Sequence, residues 1–340
     1  MNAPLAVLNT ALVSSVGLSA PAACAAIRAA VTNPSETRFL NSAGEWIVAQ
    51  QVPLEKPWRG QARLVKMAVM AITESLANVP REDWPRLPLL LCVAERERPG
   101  RLAGLDDGLF HEIQRRLGVE FSEHSLVIPQ GRVSATIALM HARRLITQGQ
   151  APLALIAAAD SLVTWPALKV YDGEQRLLRT GNSDGFIPGE GAGALLVGSA
   201  GSGPQLLCTG LGFASEPAHI RSAEPLRGAG LSQAIGAALA DAGCELRELD
   251  FRITDISGEQ FYFKEAALAL ARRTRARKAD FDIWHPAECI GETGAVAGIA
   301  LLVVADAATR KAYAPGPGVL CHAANDAGRR AAAVFQFRSG

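Results

Sequence analysis

The sequence has no excess of charge of one sign: its 340 residues hold 34 Lys and Arg against 33 Asp and Glu, a formal net charge of +1. That balance gives no basis for bulk attraction to nucleic acid or to an anionic membrane surface. Paired cysteines are missing too. Cys24, Cys92, Cys208, Cys244, Cys289 and Cys321 stand singly, with no C-x-x-C pair and no Cys/His pair at zinc spacing. This argues against a disulfide framework or a metal centre and for a reducing cytoplasm. The first 27 residues carry no charge, but they lack the basic start of a secretory signal, and Pro21 stands where a lipoprotein signal needs an aliphatic residue. The uncharged run Thr293 to Ala305 is far short of the ~20 residues needed to cross a bilayer. What remains is an ordinary folded composition, 49% hydrophobic and 20% charged, in a chain long enough for two domains or one large architecture.

Helix and strand patterns recur at a nearly fixed offset, as if the chain were written twice. A helix-like stretch Gln61 to Leu76 leads into the apolar run Leu89 to Ala94, and Leu231 to Ala242 leads into Phe251 to Ile256. The amphipathic helix Gly108 to Leu117 precedes a strand Ser125 to Pro129, as Lys264 to Arg277 precedes Phe281 to His285. Each of these strands is followed by a glycine and a small-residue helix, from Gly131 and from Gly291, an offset of 160. Both halves open on a strand candidate, Leu5 to Val13 and Gln205 to Phe213. Alternating strands and helices in duplicate predict layered α/β sheets with helices on both faces. The two small-residue helices are the expected buried pair. Asp184 to Val197 has no counterpart in the other half. It places glycines before a strand, whereas a phosphate loop needs them after a strand and before a helix. A tight turn is therefore expected there, and no cofactor.

The segment Asp184-Gly-Phe-Ile-Pro-Gly-Glu-Gly-Ala-Gly193 resembles the DGFVxGEGAG signature of the β-ketoacyl synthases, within the thiolase-like superfamily. Ala11 to Gly17 resembles that family's opening strand and turn, and Ala138 to Gly149 the helix after its nucleophile. The resemblance spans essentially the whole chain. It implies a five-layer αβαβα fold of two pseudo-symmetric halves, residues 1–200 and 201–340, interlocked as one domain. It also implies a cysteine nucleophile at the head of the first buried helix and two histidines that assist decarboxylation. Carried across, the nucleophile falls on Arg132, the first histidine on Ser257, the second on Glu292, and an accompanying lysine near Ala287.

Each replacement removes a step. Arginine is always protonated and cannot attack a carbonyl, and a carboxylate at Glu292 would repel a developing enolate. A cation at a helix N-terminus is unfavourable unless compensated, so Arg132 is expected to pair with Glu292, and with Glu259, plugging the old site. Cys289, two residues before Gly291, is the one substitute nucleophile the sequence offers, although a buried inert thiol is the commoner state. His285 reads as structural, and the family's Phe-Gly loop is replaced by Ala323 to Gly328. Arg272, Arg273, Arg275, Arg277 and Lys278 cluster at a helix end. They form either a solvated terminus or a docking patch for an acyl carrier protein.

The expectation is a catalytically inactive ketosynthase-like protein acting as an assembly partner, as a homodimer or paired with a related subunit through edge strands. Two related groups fit. One is the chain-length-factor companions of ketosynthases. The other, favoured by the short chain, is the thiolase-like proteins of type VI effector-delivery loci, whose partner would be a secretion adaptor or effector. The alternative is an active acyltransferase or condensing enzyme with Cys289 as nucleophile.

Overall fold

A computed structural model describes residues 3–274, 278 and 280–339. The chain runs β1 (Leu5–Val13), α1 (Ala20–Arg28), a hairpin of β2 (Ser35–Leu40) and β3 (Trp46–Ala49), α2 (Gly60–Ser75), β4 (Leu89–Val93), α3 (Gly108–Leu117), β5 (Leu126–Pro129), α4 (Ser134–Thr147), β6 (Leu153–Ser161), α5 (Trp165–Gly173) and β7 (Glu190–Ser199). It continues through β8 (Gln205–Ser215), α6 (Ala229–Ala242), β9 (Phe251–Thr254), α7 (Gln260–Arg273), β10 (Ile283–Trp284), α8 (Ala287–Ile290), α9 (Ala297–Arg310), β11 (Gly318–Ala324) and β12 (Arg329–Arg338).

Two five-stranded halves, β5-β4-β6-β7-β1 and β8-β12-β11-β9-β10, join where β1 meets β8. Within each half, the three outer strands are parallel and the two inner pairings antiparallel. The halves are therefore copies of one motif. Helices α2 and α3 cover the outer face of the first half and α6 and α7 that of the second, while α4 and α9 lie between the halves and touch each other. This is the five-layer thiolase-like arrangement. Sequence explains the placement: α9 buries nearly every side chain, as a helix apolar all round must. Helix α4 presents Ala135, Ala138 and Ala142 to the interior, which lets the central pair approach closely.

Three expectations need correction. Gly131 matches Gly294, not Gly291: both glycines have left-handed φ, +56° and +58°. Each opens a 3-10 turn, Gly131–Val133 and Gly294–Val296, that runs into its central helix. The true repeat is therefore 163 residues, and Glu292 sits before the second turn rather than inside it. The strand expected over Phe281 to His285 is only Ile283–Trp284, and helix α7 starts earlier and ends at Arg273. Third, the glycine-rich segment has a structural counterpart: it leads into β7 as Asn325 to Gly328 lead into β12. A Cβ at Gly189 would come 2.4 Å from the Ile290 carbonyl oxygen. Glycine there allows the Gly189 amide to donate to Glu292 O at 2.8 Å and the Glu292 amide to Ile187 O at 2.8 Å. The signature loop thus fixes the backbone of Glu292.

Candidate functional site

Arg132 lies in the 3-10 turn at the head of α4 and is almost wholly buried. Its Nη1 donates to Glu292 Oε2 at 3.0 Å, while Nη2 donates to Asp326 Oδ1 at 2.9 Å and to the Tyr262 hydroxyl at 2.6 Å. Its Nε lies 3.6 Å from Asp255, and the guanidinium rests 4.5 Å over the Tyr262 ring. The expected partner Glu259 is not in contact with Arg132. It holds Arg176 through two hydrogen bonds of 2.7 and 2.9 Å, and Arg176 in turn donates to Asp326 at 2.5 Å. Glu259 therefore belongs to the same network one step removed, because its position at the start of α7 faces the loop after α5. Ser257 Oγ donates to Glu292 Oε2 at 3.1 Å.

The second central helix begins among carboxylates. Glu292 Oε1 accepts the Gly294 amide and Asp160 Oδ2 the Ala295 amide, both at 2.9 Å, which favours negative charge at that helix terminus. Asp160 is also held by Arg98 at 2.5 and 2.8 Å. Positive charge at the head of one central helix thus faces negative charge at the head of the other.

Burial opposes the charge on Arg132, yet the surrounding partners hold its pKa well above the ordinary range. Asp326 resists burial because Arg132 and Arg176 pull its carboxyl well below the usual value. For Glu292, burial outweighs the pull of Arg132, and Asp255 beside it adds to the upward push, raising the carboxyl to about 7. A carboxyl that titrates higher in the folded than in the unfolded chain contributes stability fully below about pH 4.5 and loses it as pH rises through about 7. Asp326 acts oppositely, losing its contribution as pH falls below the ordinary carboxylate range. In unfolding measured from pH 5 to pH 8, Glu292 by itself lowers stability as pH rises, against the opposite contribution of buried, neutral His322, which grows as pH rises toward about 6.5. Glu292→Gln should remove the Glu292 contribution, up to about 3 kcal/mol, the equivalent of its shift at about 1.4 kcal/mol per unit; an unchanged slope would remove Glu292 as its source.

The space left at the site is about 60 Å3, lined among others by Glu95, Arg98, Arg132, Tyr171, Glu292 and Asp326. That is room for a few waters, not for an acyl chain. Among the described residues lining it there is no cysteine, serine, threonine or histidine. Among all described residues no cluster is placed to hold a metal ion.

Cys289 does not join this site. It lies on α8, its Sγ 4.0 Å from Ile27 O, and burial raises its pKa. His285 bonds Glu288 at 2.7 Å. His322 is buried against Thr254, and burial lowers its pKa to about 3. In the basic cluster, Arg272, Arg273 and Lys278 donate to the backbone carbonyls of Arg227, Ser232 and Arg247; Arg275 and Arg277 lie outside the described residues. Sequence reasoning missed Asp255, Tyr262, Arg176 and Asp326. The signal available for Asp326 was an acidic residue inside Ala323 to Gly328, the loop that the resemblance sets against a Phe-Gly segment.

No protein-family model matches the sequence, and no curated protein matches it. Solved structures do. The chain is 17% identical to a structure described as the ishigamide ketosynthase/chain length factor, with a TM-score of 0.82 over 100% of both chains. A type II polyketide acyl carrier protein in complex with its ketosynthase, AntDE:AntF, gives 15% identity and a TM-score of 0.79 over 99% of this chain and 100% of that one. The ketosynthase ApeO in complex with its chain length factor ApeC, from Xenorhabdus doucetiae, gives 14% and 0.73 over 99% and 98%. The chain therefore has the thiolase-like ketosynthase fold. Among the described residues, no helix is long and apolar enough to cross a membrane.

Proposed function

We propose that this chain is a non-catalytic ketosynthase-like subunit that pairs with a catalytic ketosynthase, as chain length factors do. The observation that carries the reading is Arg132: a permanent cation at the head of α4, bonded to Glu292, Asp326 and Tyr262, fills the position that a thiolate would need. Two of the structures it resembles are named for ketosynthase and chain length factor together. One of them aligns over the full length of both chains, so the short chain no longer favours a place in effector delivery, which gains no support from the comparisons.

The partner surface in this reading is the sheet edge at β5. Strand β5 ends the sheet, with Leu126 41% exposed on it and Met140 38% exposed on the adjoining α4. An open strand edge with apolar neighbours suits strand-to-strand pairing with a related subunit. An acyl carrier protein would then deliver to the partner's pocket rather than to this one.

Incubation of the purified protein with acetyl-CoA, malonyl-CoA and hexanoyl-CoA, followed by intact-mass measurement, is expected to show no acyl adduct. An adduct lost on Cys289→Ala would establish the displaced-nucleophile enzyme instead. Co-expression with a ketosynthase from the same host should yield a 1:1 complex that condenses acyl groups.

A further inference from the structure

We propose that a groove beside the β6–α5 connection binds a nucleotide, stacking its base on Trp165, which Phe39 backs, and pairing its phosphate with Arg38 and Arg59. The groove measures about 480 Å3, within the size range of small-molecule sites. It is separate from the plugged cavity: Ser161 and Val163 line the groove, whereas Leu162 between them lines the cavity.

Its aromatic wall is already assembled. Trp165 stacks on Phe39 with ring centroids 5.6 Å apart and planes at 29°, and Trp165 is 46% exposed. A tryptophan backed by a second ring and nearly half exposed offers a surface for a planar base. The charge is also lopsided. Three guanidinium groups, Arg38, Arg59 and Arg63, line the groove against one carboxylate, Glu190. Glu190 is fully committed: it accepts from Arg63 Nε at 2.9 Å, from the Ser161 hydroxyl at 3.0 Å and from the Val52 amide at 2.9 Å.

Arg38 has only the ring of Phe39 beneath it, at 5.0 Å, and among the described residues neither Arg38 nor Arg59 has a carboxylate partner. Arg59 moreover stands at the N-cap of α2, whose first turn carries neither a side-chain cap nor an acidic residue. A cation there opposes the helix dipole, and a bound anion would relieve both. Two uncommitted guanidinium forks suit phosphate oxygens, which they bind bidentately, and the ring wall beside them suits the base.

Titration of the intact protein with AMP, read by tryptophan fluorescence and by calorimetry, tests the site, with adenosine and inorganic phosphate as separate arms. AMP is expected to bind more tightly than either. Arg38→Ala, Arg59→Ala and Trp165→Ala should each weaken AMP binding by about tenfold. All three side chains are exposed, so thermal unfolding should stay at the wild-type temperature. Absence of saturable AMP binding, or binding unchanged in the three variants, overturns the proposal. Inorganic phosphate binding as tightly as AMP also overturns it, because the ring wall would then be idle. None of these residues touches the Arg132 network, so the result is independent of whether the chain is catalytic.

Discussion

Replacing Arg132 with alanine is expected to destabilise the protein by about 3–5 kcal/mol, the range for removing one member of a buried ion pair. The physical reason is what remains: Glu292, Asp255 and Asp326 stay buried around a void, and the hydroxyl of Tyr262 loses its donor. The loss is one of compensation rather than of contact area. Urea unfolding at pH 7 measures it, and a change below about 1 kcal/mol would mean that water screens the carboxylates and that the site is not sealed. Arg132→Cys distinguishes a missing nucleophile from a missing site. A thiol among three carboxylates is pushed away from thiolate, no histidine lines the cavity, and condensation should stay undetectable although a cysteine then stands where the sequence resemblance places the nucleophile.

The second large effect concerns pairing. Leu126→Glu combined with Met140→Glu is expected to weaken association with a partner subunit at least about 100-fold, roughly 2.7 kcal/mol, by placing charge in the proposed interface at β5. Both side chains are exposed in the single chain, so its own unfolding should change little. Sedimentation or mass photometry across a dilution series reads the shift. Unaltered association would move the interface away from β5.

The fold was legible because it rests on repetition. Periodicity exposed the duplicate order of strands and helices, and the stretch Asp184 to Gly193 tied that order to a known architecture. The offset was misjudged by three residues because Gly291 and Gly294 both precede the second central helix, and only backbone conformation separates them: both have positive φ, but only Gly294 opens the 3-10 turn. At the site, alignment with the family marked Arg132 and Glu292, whose opposite charges meet at 3.0 Å. The rest was hidden for a physical reason. Tyr262 and Asp326 reach Arg132 across 130 and 194 residues of chain, from a helix and from a loop, and no local pattern marks such partners. Glu259 carried the right charge, but the path of the chain after α5 gave it to Arg176.

The network around Arg132 also constrains how this protein could change. Its members stabilise one another as a set, so replacing Arg132 alone leaves Glu292, Asp255 and Asp326 without their common cation, and replacing Asp326 alone leaves Arg132 and Arg176 without the carboxylate they share. Each first step is costly and the compensating steps are useful only together. The charge cluster therefore acts as a ratchet in sequence space: with the cavity at its present size of about 60 Å3, replacing Arg132 without losing stability requires changes at its carboxylate partners at the same time.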